Sequence, residues 1–297
     1  MKRSRTFKLG TRGSSLALAQ AQSVADAIGS AEVVAVRSTD SQPGDKERFV
    51  RGVERALREG EADLGVHSAK DVPGIRPEEV RLAGVPPRED PQDAYVGQGS
   101  SLEDLPSGAR IGTSSLRRRS QLLALREDLE VLELRGNVDT RLRKLVEGAY
   151  DGIVVAAAGL RRLGRESEIS FEFAIDALTP APGQGSLAIE SRRDDQAAAA
   201  AAARISDHAA LVELTAERAA VSALDASCQT PVGICARLDG DQLLVYGYAG
   251  LPDGSEWVRD RVVGDSEQPV ALGEALAQRM LAAGASDILG RAASAAA

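Results

Sequence analysis

Two similar α/β domains followed by a small α+β domain is the fold class that the sequence predicts, and three observations predict it. Strand-like and helix-like segments alternate through the first two thirds of the 297 residues, the pattern of a mostly parallel sheet covered by helices. Short motifs from the beginning of the chain reappear in its middle, as a duplicated unit would require. Towards the C-terminus the pattern changes to a helix followed by alternating strands with Asp- and Gly-containing turns between them.

Taken in order, Phe7 to Thr11 reads as a strand, Ser14 to Ile28 as a helix and Val33 to Arg37 as a strand. Phe49 to Glu59 reads as a helix and Asp63 to His67 as a strand, each from the period of its apolar positions. Gly- and Pro-rich stretches at 84–91 and 180–185 mark linkers. The echo is clearest where Leu9-Gly10-Thr11-Arg12-Gly13-Ser14-Ser15-Leu16 is matched by Ile111-Gly112-Thr113-Ser114-Ser115-Leu116, each at a strand-to-helix junction. Likewise Glu32 to Arg37 is matched by Glu130 to Arg135, and Ala62 to Val66 by Tyr150 to Val154. Two such domains joined by two crossovers are expected to enclose a ligand cleft with hinge closure. The seven alanines at 197–203 and residues 208–224 read as helices. Val232 to Leu238, Leu243 to Ala249 and Trp257 to Val263 read as strands, joined through Asp239-Gly240-Asp241 and Pro252-Asp253-Gly254. A final helix is expected from Pro269, suited to a first helical turn, to Gly284, suited to a stop. The expected domains are 1–86 completed by a returning segment 187–204, then 92–180, then 208–297.

Composition narrows the function classes. With 43% hydrophobic and 27% charged residues the chain is ordinary globular material, long enough for two or three domains. Its basic start, Met1-Lys2-Arg3-Ser4-Arg5, runs into Phe7-Lys8-Leu9 without the apolar stretch of a signal peptide, and no segment has the length of a membrane span. Cys228 and Cys235 lie only seven residues apart, which fits a reducing cytoplasm better than a disulfide scaffold. Arg117-Arg118-Arg119 raises the alternative of a nucleic-acid-binding regulator. A net charge of −8 and only nine Phe, Tyr and Trp residues oppose it, because such binding rests on phosphate neutralisation and stacking. The arginines at 117–119, 135, 141, 161, 162 and 165 instead predict a local cationic surface for a small polyanion.

Several constellations carry chemistry. The Gly112-Thr113-Ser114-Ser115 run opens a helix, so its N–H groups and hydroxyls can receive an anion, with Arg117 and Arg118 following at once. A serine cap before a solvated arginine face explains such a run alone, whereas its echo at Gly10 to Ser15, with Arg12, favours an anion site. It lacks the lysine and spacing of a nucleotide-binding Walker loop. Arg135 ends a strand and Arg141 lies one turn into the next helix; the planar fork of arginine suits carboxylates. Singly each would be a surface ion pair, but with Arg117, Arg118 and Arg162 they form a carboxylate-reading wall. His67-Ser68-Ala69-Lys70-Asp71-Val72-Pro73 follows a strand and places a carboxylate beside a cation. This is either a turn-forming aspartate or, if enclosed, a charge-stabilising or proton-shuttling group. Cys228 lies in a polar loop, as a nucleophile or attachment point would, while Cys235 inside a strand reads as a packing residue. With two histidines and no paired-cysteine spacing, no protein-built zinc site is expected.

Thr11-Arg12-Gly13-Ser14, His67 to Pro73, Arg88-Glu89-Asp90-Pro91, Gly112 to Arg118, Arg135-Gly136-Asn137, Pro182-Gly183-Gln184-Gly185 and Cys228-Gln229-Thr230-Pro231-Val232-Gly233 together resemble the porphobilinogen deaminases in order and spacing, over nearly the whole chain. The resemblance implies two periplasmic-binding-protein-like α/β domains around a cleft and a C-terminal domain with a three-stranded antiparallel sheet. It implies a dipyrromethane cofactor in thioether linkage to Cys228, on which four porphobilinogen molecules lose ammonia and are joined head to tail, water then releasing hydroxymethylbilane. Asp71 would be the catalytic group, holding pyrrole N–H groups and stabilising the positive charge that develops as ammonia leaves. Lys70, Thr113, Ser114, Ser115, Arg117, Arg118, Arg135, Arg141 and Gln184 would bind cofactor and substrate side chains, with Arg12, Ser14, Ser68 and Arg162 completing the site. The chain departs from the family between Ser38 and Arg48, where relatives carry a longer Gly- and Lys-rich lid; Lys46 and Phe49 still match. Porphobilinogen is the expected partner of a cytoplasmic monomer that binds neither nucleic acid nor membrane. A non-catalytic binding protein for a small polycarboxylate would use the same paired domains, and Cys228 with the third domain discriminates against it.

Overall fold

The computed structural model describes residues 5–36, 48–73, 77–226 and 230–296. In chain order the elements are β1 (Phe7–Arg12), α1 (Ser15–Ile28), β2 (Ala31–Val36), α2 (Arg48–Arg58), β3 (Leu64–Ser68), β4 (Val80–Gly84), β5 (Asp93–Gly97), β6 (Arg110–Gly112), α3 (Leu116–Leu125), β7 (Glu130–Leu132), α4 (Val138–Val146), β8 (Gly152–Ala156), α5 (Ala157–Arg162) and β9 (Phe171–Glu172). They continue with β10 (Leu187–Arg192), α6 (Gln196–Arg204), α7 (His208–Ala223), β11 (Val232–Asp239), β12 (Gln242–Gly250), β13 (Trp257–Asp265), α8 (Pro269–Ala282) and α9 (Ala285–Ala296). The described residues fall into two compact units, bounded by Met1–Glu89 with Gly185–Leu211 and by Asp90–Gln184 with Val212–Ala297.

In the first unit a five-stranded sheet has the order β2-β1-β3-β10-β4. β1 runs parallel to β2 and β3, whereas β10, arriving from much later in the chain, is antiparallel to both β3 and β4. Leu9, Leu64 and Ile189 from three of these strands are fully buried beneath Ala21 and Val24 of α1, each aliphatic side chain contributing about 1.5–3 kcal/mol of transfer free energy.

The second unit repeats this plan and adds another sheet. Its five strands are ordered β7-β6-β8-β5-β9, with β6 parallel to β7 and β8 and with β5 antiparallel to β8 and β9. The sequence echo is thus a repeat of position: β6, β7 and β8 occupy in this sheet the places of β1, β2 and β3 in the other. The remaining sheet, β11-β12-β13, is antiparallel. Ile234, Val245, Leu276 and Met280 are buried in its core with Ala216 and Ala220 of α7.

One expectation needs correction. The chain does not end its regular structure at Gly284. That glycine takes a left-handed φ of 99° after α8, and a further helix, α9, begins at the next residue. Its Ile288 and Ala292 bury against Leu251, a tertiary partner that a short alanine-rich tail does not announce.

Candidate active site

In the first unit β1 ends at the half-buried Arg12, and Ser14 caps α1 by accepting a hydrogen bond from the Ala17 N–H at 3.3 Å. β3 runs directly into a single 3-10 turn, Ala69–Asp71, which carries Lys70 and Asp71 half-buried. The Ser68 hydroxyl is paired with the side-chain amide of Gln20 at 3.0 Å. Behind the turn, His67 Nε2 lies 3.2 Å from Glu190 Oε2, both side chains buried where β3 pairs with β10. The Ala69 N–H donates to the Ser186 carbonyl at 3.0 Å. Asp71 therefore projects from a turn rooted in the core at both strands.

In the second unit Ser115 caps α3, accepting from the Arg118 N–H at 3.4 Å, and the Thr113 hydroxyl accepts from the Ser115 N–H at 3.3 Å. Arg117 and Arg118 then turn inward. Arg117 Nη1 donates to Asp93 Oδ2 at 2.7 Å and to the Thr179 carbonyl at 2.8 Å. Arg118 donates to Asp93 Oδ1 from Nε at 3.0 Å and Nη2 at 2.7 Å, and from Nη1 to the Val154 carbonyl at 3.1 Å. Gln184 joins them, its Nε2 donating to Asp93 Oδ1 at 2.8 Å and to the Pro91 carbonyl at 2.6 Å. Burial by itself would raise the Asp93 carboxyl, but the charges of Arg117 and Arg118 outweigh it and hold the group well below the usual carboxylate range. Burial lowers the Arg117 guanidinium, against the pull of Asp93.

The other predicted residues are held in different ways. Arg141 Nη2 reaches the exposed Ser114 hydroxyl at 3.2 Å while its Nε holds the Gly136 carbonyl at 2.9 Å. Arg135 is exposed and pairs with Glu133 at 2.6 Å, and Arg162 is half-buried at the last residue of α5. Lys46 and Cys228 lie outside the described residues, as does nearly all of the stretch from Ser38 to Arg48. Cys235 is fully buried within β11, in agreement with its reading as a packing residue.

Asp93 is one residue that sequence reasoning missed. The available signal was a carboxylate opening a strand whose next residues, Ala94, Tyr95 and Val96, are all apolar; a charge on a buried strand requires a partner. Gln20 was missed as well, as one polar side chain on a helix otherwise buried through Ala17, Ala21 and Val24.

Two guanidiniums against one carboxylate leave one positive charge in excess at the start of α3. Arg117 Nε is buried without a hydrogen-bond partner among the described residues. With the Ser114 hydroxyl and Arg141 close by, the donor set is rich in cations and hydroxyls. A dipyrromethane bearing acetate and propionate carboxylates fits such a set.

The family and full-length sequence comparisons agree with this chemistry. Residues 7–200 match the family model described as porphobilinogen deaminase, dipyromethane cofactor binding domain, and residues 211–282 match that of the porphobilinogen deaminase C-terminal domain. A porphobilinogen deaminase of Roseiflexus sp. (strain RS-1) is 48% identical over 96% of this chain and 98% of its own length. That of Rubrobacter xylanophilus is 45% identical over 95% of this chain and 96% of its own. Among solved structures, a TRAP periplasmic solute binding protein from Ralstonia eutropha H16 aligns with a TM-score of 0.42 at 12% identity, over 67% of this chain and 76% of that one. Matching both family models and these relatives over nearly its full length, the chain belongs to the porphobilinogen deaminase family.

Proposed function

We propose that Cys228 carries the dipyrromethane cofactor of this chain and that Asp71 stabilises the positive charge formed as ammonia leaves porphobilinogen. Family membership makes the chain a transferase of tetrapyrrole biosynthesis, which deaminates porphobilinogen and joins four units into hydroxymethylbilane with a dipyrromethane cofactor. When bound, that cofactor would supply the free pyrrole carbon that receives the first unit, the later ones joining the free end of the growing chain.

The chain's own residues bind, orient and stabilise. Ammonia departs with the electron pair of its C–N bond, so positive charge spreads over the substrate pyrrole. The Asp71 carboxylate accepts the pyrrole N–H and lowers the energy of that charge, an interaction that strengthens as the bond breaks. Arg117, Arg118, Arg135, Arg141, Arg162, Arg12 and Lys46 hold acetate and propionate groups. Thr113, Ser114, Ser115, Ser14, Ser68, Lys70 and Gln184 supply the remaining donors. The observation that best supports this reading is the positive charge left over when Arg117 and Arg118 share the one Asp93 carboxylate.

The reading extends to a monomer at work in the cytoplasm, with porphobilinogen as its partner and neither nucleic acid nor membrane bound. The sparse, closely spaced cysteines and the net charge of −8 support it. Among the described residues no helix is long and apolar enough to cross a membrane. Domains at 1–86 with 187–204, 92–180 and 208–297 belong to the same proposal, supported by the three separate sheets.

The test is Asp71→Asn, which keeps shape and removes charge. The purified variant should fold, retain its covalent adduct and turn over about a hundredfold or more slowly, the size of loss seen when a charge-stabilising group is removed. Turnover close to wild type would remove Asp71 from the mechanism.

A further inference from the structure

Helix α3 turns three buried polar side chains to one face, Arg117, Ser120 and Gln121, at the i, i+3 and i+4 positions that lie together on a helix. Gln121 grips one residue by both of its backbone groups: its Oε1 accepts from the Thr179 N–H at 2.7 Å and its Nε2 donates to the Thr179 carbonyl at 3.0 Å. A primary amide, with one acceptor and a donor side by side, is the side chain shaped for this. Arg117 donates to the same carbonyl at 2.8 Å.

The other side of Thr179 and Pro180 is taken by the three-stranded sheet. The Ile234 N–H of β11 donates to the Pro180 carbonyl at 3.0 Å. Gly233 comes so close that a Cβ there would lie 2.5 Å from the Thr179 oxygen, so only glycine permits the approach. A second link bypasses Thr179 and Pro180: Ser120 Oγ and Tyr248 Oη of β12 are 2.8 Å apart, both residues fully buried. These contacts are directional hydrogen bonds, which fix one geometry where apolar packing alone would tolerate a slide.

The two ends of this bridge adjoin, along the chain, the residues of the proposed chemistry. α3 opens with Arg117 and Arg118, and β11 opens four residues after Cys228. We infer that Gln121 is a positioning residue: through Thr179 it fixes the start of β11, which follows the proposed attachment residue in the chain, against the arginine pair of α3, keeping the growing chain in register with the arginines. The Gln121 side chain is buried and its amide bonds the backbone of Thr179 and Arg117, so its effect on the chemistry is through position. The inference rests on the Cys228 reading.

The holoenzyme tests it through Gln121→Met, which keeps volume and removes both bonds, Gln121→Glu, which keeps the acceptor for the Thr179 N–H, and Tyr248→Phe, which removes only the second link. Each is assayed for kcat and KM at a temperature where circular dichroism reports full folding. The ladder of covalent species formed with limiting porphobilinogen is followed by intact-protein mass spectrometry. Gln121→Met should keep its two-pyrrole adduct and a KM within about twofold of wild type, while kcat falls about tenfold and partly extended species accumulate, as expected when geometry and not affinity is lost. Gln121→Glu should fall between Gln121→Met and wild type. If Gln121→Met does not fold, Gln121→Glu and Tyr248→Phe carry the same test, each with lowered kcat at unchanged KM. Variants that melt earlier yet show wild-type kcat and ladders would make the bridge merely structural and overturn the inference. A wild-type chain without any adduct would overturn the Cys228 reading and this inference with it, and is told apart by its mass alone.

Discussion

Arg118 holds the Asp93 carboxylate by two donors at one oxygen, Nε at 3.0 Å and Nη2 at 2.7 Å, inside a part of the protein where Asp93 has no solvent exposure. Arg117 takes the other oxygen. The arginine pair expected to face a ligand is thus first of all neutralised in part from within, and its reach toward carboxylates depends on an acid that fixes both guanidiniums.

Removing that acid should be costly. Asp93→Asn leaves two buried guanidiniums with no counter-charge, a change worth about 3–5 kcal/mol. The depressed Asp93 carboxyl also fixes the sign of the pH dependence. Because the native value lies below the unfolded value of about 3.9, the stabilisation is fully present above that pH and is lost as pH falls through the native value. Urea midpoints of wild type and Asp93→Asn should therefore differ most from neutrality down to about pH 4 and converge under stronger acid. A gap that widened on acidification would contradict the assignment of Asp93 as the ionised partner.

Arg118→Leu should lower the fraction of purified protein that carries the cofactor, and Arg118→Lys should restore only part of it. A lysine offers a point charge where Arg118 makes bonds to Asp93 and the Val154 carbonyl from three nitrogens at once. Adduct occupancy by intact mass is the readout, and full rescue by lysine would show that charge alone matters.

Much of this was legible in the sequence because it is written locally. The strand-to-helix junctions at Thr11 to Ser14 and Thr113 to Ser115 announce themselves by their capping serines, and both serines do cap. The repeat was legible for the same reason, since its three matched segments became matched strands. What stayed hidden depends on pairing at a distance. Asp93 meets Arg117 and Arg118 only because β5 is inserted antiparallel between β8 and β9, and nothing near residue 93 states that. Gln121 is equally silent, its partner Thr179 lying 58 residues away. Helix α9 escaped because its apolar stripe is short and its partner Leu251 belongs to a distant turn.

Arg141 offers a separate check on the exposed part of the donor set. It bridges the Ser114 hydroxyl and the Gly136 carbonyl, so Arg141→Met should remove one charged donor without disturbing the buried node. A rise in KM for porphobilinogen of about tenfold is expected, the equivalent of one charged hydrogen bond of about 1.5 kcal/mol, with kcat changed little. A loss confined to kcat would assign Arg141 to the reacting charge and not to binding.

The measurement that tests the central claim most directly is the intact mass of three proteins purified under identical conditions: wild type, Cys228→Ser and Cys235→Ser. Wild type and Cys235→Ser should each carry an adduct equal to two linked pyrrole units and should turn over porphobilinogen, because Cys235 is a buried packing residue of β11. Cys228→Ser should have the mass of the bare chain and no activity. An adduct retained in Cys228→Ser, or lost in Cys235→Ser, would contradict the account.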